Sequence, residues 1–207
     1  GKIQFKMDIE IKISKKPVNY KKALQFLEKR VNEVKKGANE LVWFLEHPTT
    51  YTAGIRYKKE EIIDKTIKIL KTNRGGKITL HNKGQKVIYF VINLNKRKKN
   101  IRNLVRQVEN IIISFLKIYG ITSYADRKNI GIWVKDKKIA AIGIRVSRWV
   151  AYHGFSININ NNLQEYSKIS PCGISNKKVT SIENEGKKSV NINKNLERIF
   201  INNLIKF

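Results

Sequence analysis

The chain has one cysteine, three prolines, three histidines and one methionine among its 207 residues. A single cysteine, Cys172, excludes an intrachain disulfide framework. His47, His81 and His153 are scattered and, with Cys172, lack metal-ligand spacing, so no metal is expected. Acidic residues are scarce too, 16 against 43 lysines and arginines, for a net charge of +27. No apolar run approaches the roughly 18 residues of a membrane span, and the first eight positions, Gly-Lys-Ile-Gln-Phe-Lys-Met-Asp, hold no apolar signal core. A cytoplasmic protein without membrane contact is expected. Neither a Walker-type phosphate loop nor G-x-G-x-x-G occurs. Their absence points away from nucleotide-driven chemistry and toward a substrate that arrives already activated.

What remains is ordinary globular material. Hydrophobic residues make up 41%, enough for a core, and the length suits a single domain over residues 1–207. The positive charge admits an acidic protein, nucleic acid or an anionic surface as partner. Drift toward lysine, isoleucine and asparagine explains it as well, and ranks first, because the basic residues are dispersed. An acidic protein ranks second. A nucleic-acid module would need clustered cations with interleaved stacking aromatics. Only 95–100 forms a tight basic run, which reads as a solvated loop.

Alternation at 9–14 predicts a half-buried strand. A helix follows, capped by Asn19, with Tyr20, Leu24, Leu27, Val31 and Val34 on one face, and ends near Gly37. Strands are expected at 41–45, 67–70, 77–81 and 87–94, with a turn over 71–76. A second helix spans 101–119, capped by Asn100, with a broad apolar face of Ile101, Leu104, Val105, Val108, Ile111, Ile112 and Phe115. Strands follow at 129–134, 139–146 and 151–160, the first two joined by a tight turn at Asp136-Lys137. Residues 161–178 read as loop with about one helical turn, and a last helix covers 194–207. Strands interrupted irregularly by helices predict an α+β, two-layer α/β fold with a mixed, largely antiparallel sheet.

Chemistry is concentrated in a few places. Cys172 stands between Pro171 and Gly173, a turn that presents the thiol. A thiol of ordinary pKa about 8.5 needs a nearby base or cation to act as a nucleophile. The three histidines and many lysines are candidates, and residue type alone selects none. Arg74-Gly75-Gly76 reads either as a backbone cradle for a ligand or as a plain turn. His153-Gly154, inside an apolar strand, predicts a bulge or a close backbone approach.

Taken together, these segments resemble the lipoyl(octanoyl) transferases. The segment 46–54, Glu-His-Pro-Thr-Thr-Tyr-Thr-Ala-Gly, is similar to their E-H-P-x-x-Y-T-x-G. Residues 74–81 match R-G-G-x-x-T-x-H, and 138–145 match K-I-A-A-I-G-x-R. His153-Gly154, Pro171-Cys172-Gly173-Ile174 and Val179-Thr180-Ser181 follow in the family's order. Each motif alone is weak; their order over residues 40–182 carries the resemblance.

The resemblance implies the fold of the biotin and lipoate protein ligase catalytic domain. It makes Cys172 the acyl-thioester nucleophile and Lys138 the lysine that activates it and shuttles protons. Lys135 and Lys137 are set aside because the motif lysine directly precedes Ile139-Ala140. It implies acyl binding by Arg74, Gly75, Gly76, Lys77, Ile78, Thr79, Leu80 and His81, by Ala141, Ile142 and Gly143, and by Gly154, Phe155 and Ser156. The implied donor is octanoyl-acyl carrier protein, with its own 4'-phosphopantetheine and no separate cofactor. The implied acceptors are lipoyl domains of 2-oxoacid dehydrogenase E2 subunits and the glycine cleavage H protein. A lipoyl or octanoyl amidotransferase of the same fold and a Cys–His hydrolase are the enzymatic alternatives. The chain departs from the family at Leu80-His81-Asn82-Lys83-Gly84-Gln85, where H-G-P-G-Q is usual, which bears on the turn and on acyl-length preference. Ser156 replaces a small apolar residue.

Overall fold

The computed structural model describes residues 9–170, 178–203 and 207. The strands in chain order are β1 (Ile9–Ile13), β2 (Glu40–Leu45), β3 (Thr50–Ala53), β4 (Ile69–Lys71), β5 (Ile78–His81), β6 (Gln85–Asn93), β7 (Tyr124–Ala125), β8 (Ile132–Val134), β9 (Lys137–Ser147), β10 (Val150–Asn158) and β11 (Lys178–Val179). The helices are α1 (Tyr20–Lys35), α2 (Ile101–Ile118) and α3 (Ile192–Asn203). The large sheet runs β1-β2-β6-β10-β9-β8-β7, with β11 also on β9, and a small sheet runs β4-β3-β5. Among the described residues, parallel pairing is confined to β1–β2, β3–β4 and β11–β9. The fold is therefore α+β with a mixed, largely antiparallel sheet, as the sequence predicts.

Strand alternation explains why helices cover both faces. Leu41, Trp43, Leu45, Val87, Tyr89, Val91, Val150 and Tyr152 pack on the apolar stripe of α1, formed by Ala23, Leu27, Val31 and Val34. The intervening Val42, Phe44, Ile88, Phe90 and Ile92 meet α2 through Leu104, Val108, Ile111 and Phe115, and α3 through Leu196 and Phe200. With both faces covered, β2 and β6 read as continuous apolar runs. The predicted caps are present: Asn19 Oδ1 accepts from Lys22 N at 3.1 Å and Asn100 Oδ1 from Asn103 N at 3.1 Å.

Several expectations shift. Strand β3 lies inside the 46–54 motif and β7 is two residues long; neither was expected. The predicted strand at 129–134 shortens to β8, because Gly131 adopts φ 131° just before it. The β8–β9 turn is Lys135-Asp136, one residue earlier than expected, since Lys137 pairs with Val134. Residues 161–178 hold the expected helical turn as a 3-10 segment, Leu163–Lys168. The basic run 95–100 is exposed, as expected, except at Arg97. Arg97 makes a buried bidentate pair with Glu40 at 2.5 and 3.0 Å, and Leu94 N donates to Trp149 O at 2.7 Å.

Candidate active site

The small sheet leans on the large one through glycines. Gly54 N donates to Lys77 O and Arg56 N to Gly76 O. A Cβ on Gly54 would overlap Gly76 O and stand 2.6 Å from Arg74 Nη1. Gly75 and Gly143 meet in the same way: a Cβ on Gly75 would stand 3.1 Å from Ile144 O, and one on Gly143 3.1 Å from Gly75 O. The 46–54 motif is thus a brace for the Arg74-Gly75-Gly76 turn. Thr52 accepts the Arg74 guanidinium through Oγ1 at 2.7 Å and through its carbonyl at 3.1 Å. Arg74 also donates to Lys77 O at 2.8 Å.

Behind this turn lies a cavity of about 240 Å³. Its wall includes Arg74, Gly76, Lys77, Ile78, Thr79 and His81 from the first predicted segment. Ala141, Ile142 and Gly143 of β9, Gly154, Phe155 and Ser156 of β10, and Lys138 complete the predicted part. The structure therefore brings three distant segments and Lys138 to one space. Gly75 and Leu80 stand outside the lining: Gly75 turns to the β9 backbone, and Leu80 packs with Tyr51, Ile78, Tyr166 and Ile169. Asn82 and Lys83 do not line it either, so the departure from H-G-P-G-Q leaves the wall itself intact. Cys172, with Pro171, Gly173 and Ile174, lies outside the described residues.

Lys138 sits where three strands meet. β8 pairs with it through Trp133, β10 leaves β9 at Ala140, and β11 pairs with Lys137 and Lys138 beyond that point. Thr180 N donates to Lys138 O at 2.9 Å. The Val179-Thr180-Ser181 motif is thus the segment that clasps the lysine's strand. Gly131 leaves room for the Lys138 stem.

The histidines divide by environment. His153 has φ 68° and Gly154 φ 153°. A Cβ on Gly154 would overlap Ile88 O, so the predicted close approach is to β6, in unbroken register. His153 is buried, with Nε2 donating to Asn73 Oδ1 at 2.8 Å. Burial first, then the Arg74 and Arg145 cations, lower its pKa to about 3. Burial likewise lowers His47 to about 4. Val18 O can only accept, so His47 Nδ1 donates to it at 2.6 Å and Nε2 accepts from Tyr89 OH at 2.7 Å. His81 falls to about 3, from burial first and then from the neighbouring His47 charge. All three imidazoles are neutral at physiological pH.

Sequence reading missed Tyr20, Val87 and Tyr89, which line the cavity from the α1 side, and Arg56, Lys128, Asn129 and Ile130. The strand period places Val87 and Tyr89 on one face but does not say which element lies above it. The lining carries Arg56, Arg74, Lys77, Lys128 and Lys138 and no carboxylate among the described residues.

The lipoyl protein ligase A/B catalytic domain family matches residues 19–201. The chain belongs to that family. An octanoyltransferase of Ehrlichia chaffeensis is 44% identical over 185 residues, 86% of each chain. One of Rickettsia bellii is 44% identical over 179 residues, 82% of this chain and 86% of its own. These relatives place the chain among the family's acyltransferases. A lipoate-protein ligase A crystal structure with bound ATP superposes with a TM-score of 0.78 at 16% identity, covering 94% of this chain and 85% of its own. That likeness shows the shared ligase fold.

Proposed function

We propose that this acyltransferase takes octanoyl from an acyl carrier protein thioester onto Cys172 and delivers it to a lysine of lipoyl domains, the first step of protein lipoylation. The observation that carries the reading is the gathering of Lys138 and the 74–81, 141–143 and 154–156 segments around one cavity, in a chain 44% identical to octanoyltransferases. Ile78, Val87, Ile142 and Phe155 give the cavity apolar surface for an acyl tail. At about 0.8 kcal/mol per buried methylene, a tail of about six methylenes gains about 5 kcal/mol.

The reaction runs in two displacements. The Cys172 thiolate, stabilised by the Lys138 ammonium, attacks the donor carbonyl carbon. The bond to the pantetheine sulfur breaks, and that sulfur takes the Lys138 proton. The acceptor amine then attacks the enzyme thioester. A C–N bond forms, the Cys172 C–S bond breaks, and the amine proton passes to Lys138. The thioester supplies the driving force, so the reading calls for no nucleotide or resident cofactor. Acceptors are the lipoyl domains of E2 subunits and the H protein, and the compartment is the cytoplasm. Among the described residues no helix is long and apolar enough to cross a membrane.

Incubation with octanoyl carrier protein should add one octanoyl mass to Cys172, removable by hydroxylamine. Transfer by Cys172→Ser at the wild-type rate would overturn the reading.

A further inference from the structure

We propose that Gln85 and Asn158 are positioning residues for the transfer: their side chains fix the tautomer of His81 at the cavity wall and tie together the segments on either side of residues 171–177. The proposal rests on the reading that Cys172 carries the acyl group.

The tautomer follows from a backbone atom. Leu80 O can only accept, so the amide nitrogen of Gln85 faces it, at 3.0 Å. Gln85 Oε1 is thereby turned to His81 Nδ1 at 2.6 Å. An amide oxygen cannot donate, so Nδ1 carries the proton. His81 is neutral, which leaves Nε2 as a lone pair on a residue that lines the cavity. Tyr20 stacks on its ring at 5.8 Å, His47 lies at 5.3 Å, and the Arg74 charge also acts on it. With the Arg74 cation close by, a neutral His81 keeps further positive charge away from an apolar tail.

The same amide nitrogen reaches Asn158 Oδ1 at 3.0 Å and Tyr166 OH at 3.1 Å. Asn158 Oδ1 also accepts from Asn161 Nδ2 at 3.1 Å and Tyr166 OH at 3.2 Å. On its other side Asn158 Nδ2 donates to Thr180 O at 3.1 Å, and Thr180 N donates to Lys138 O. A continuous path therefore joins His81, Gln85, Asn158, Thr180 and the Lys138 backbone. Asn82, where the resemblance predicts glycine, joins the same hub. Its Nδ2 donates to Asn162 O and Glu165 Oε1, both at 2.9 Å, and its Oδ1 accepts from Asn161 at 2.9 Å. Residues 158–166 and 178–180, which precede and follow 171–177 in the chain, are thus anchored to one buried point. Gln85 is 1% exposed, Asn158 4% and Thr180 0%. Hydrogen-bonded polar networks at such depth favour one arrangement, because each broken bond leaves an unpaired group out of water, as Asn161 Oδ1 already is.

The test uses the full chain with 15N-labelled histidine. In wild type, His81 should show the Nδ1–H neutral tautomer throughout pH 5–8. In Gln85→Met, His81 should show mixed tautomers, and kcat should fall about 10- to 100-fold with the carrier-protein KM little changed. Gln85→Glu keeps the acceptor for Nδ1–H but adds a negative charge, which raises the His81 pKa. Its kcat should gain an acidic limb, falling as pH falls, that wild type lacks. A wild-type kcat in Gln85→Met, or a loss matching only the drop in folded fraction, would overturn the proposal. If wild type itself forms no hydroxylamine-labile adduct on Cys172, the functional reading fails instead, and the tautomer measurement tells the two failures apart.

Discussion

Gly131 and Lys138 compete for one space: a Cβ on Gly131 would overlap Cε of Lys138 and stand 3.2 Å from its Nζ and 2.8 Å from Ala140 O. The φ of 131° at Gly131 adds a second demand for glycine. Gly131→Ala should push the Lys138 stem aside. A displacement of about 1 Å at a proton-transferring group costs up to about 100-fold. We expect octanoyl transfer to fall about 10- to 100-fold while circular dichroism still reports a folded chain. Wild-type turnover in Gly131→Ala would show that the lysine has room to spare.

Lys138 can be tested directly through the thiol. Wild-type Cys172 should react with iodoacetamide with an apparent pKa below the ordinary value of about 8.5. Lys138→Ala should raise that value and abolish transfer, while Lys135→Ala and Lys137→Ala should leave both near wild type. Lys138→Arg keeps the charge but cannot release a proton, so it should retain part of the depression and transfer poorly. Full transfer by Lys138→Arg would reassign the base.

The cationic lining predicts a salt effect. Arg56, Lys77 and Lys128 stand at the cavity without carboxylates among its described lining, in a chain of net charge +27. An acidic carrier should be drawn there, so added salt should raise the carrier KM and leave kcat nearly constant. Arg56→Ala with Lys128→Ala should flatten that dependence. A KM indifferent to salt in wild type would assign the charge to composition.

Acid stability should follow the histidines. His47 titrates at about 4 and His81 and His153 at about 3 in the folded chain, against about 6.5 unfolded. The unfolded chain therefore binds more protons between those values, and stability falls as pH drops below about 6.5. Each buried histidine contributes a slope of up to about 1.4 kcal/mol per pH unit. Tm should decline from pH 7 to pH 5, and His153→Gln should make the decline shallower. A flat Tm over that range would contradict the burial of these rings as neutral groups.

The helix caps at Asn19 and Asn100 and the buried runs of β2 and β6 were legible because capping and periodicity are local. β3 was not legible: its four residues sit inside a motif and pair with β4 and β5 across long loops. The shift of the β8–β9 turn to Lys135-Asp136 reflects pairing register, which one strand cannot set alone. At the site, motif order put Lys138, Arg74, Gly143 and Phe155 on one roster. Distance in three dimensions then separated Gly75 and Leu80 from the cavity and added Tyr20, Tyr89 and Arg56.

By itself the sequence determined which residues are apolar at which period and where helices begin, and its resemblance to the transferases made Lys138 the expected site lysine. Only the tertiary structure decided that Gly131 must lack a side chain, that a Leu80 carbonyl sets the His81 proton through Gln85, and that Thr180 clasps the Lys138 strand. Only the last of these joins residues far apart in the chain. All three depend on ångström-scale contacts and hydrogen-bond direction, which composition and periodicity do not encode.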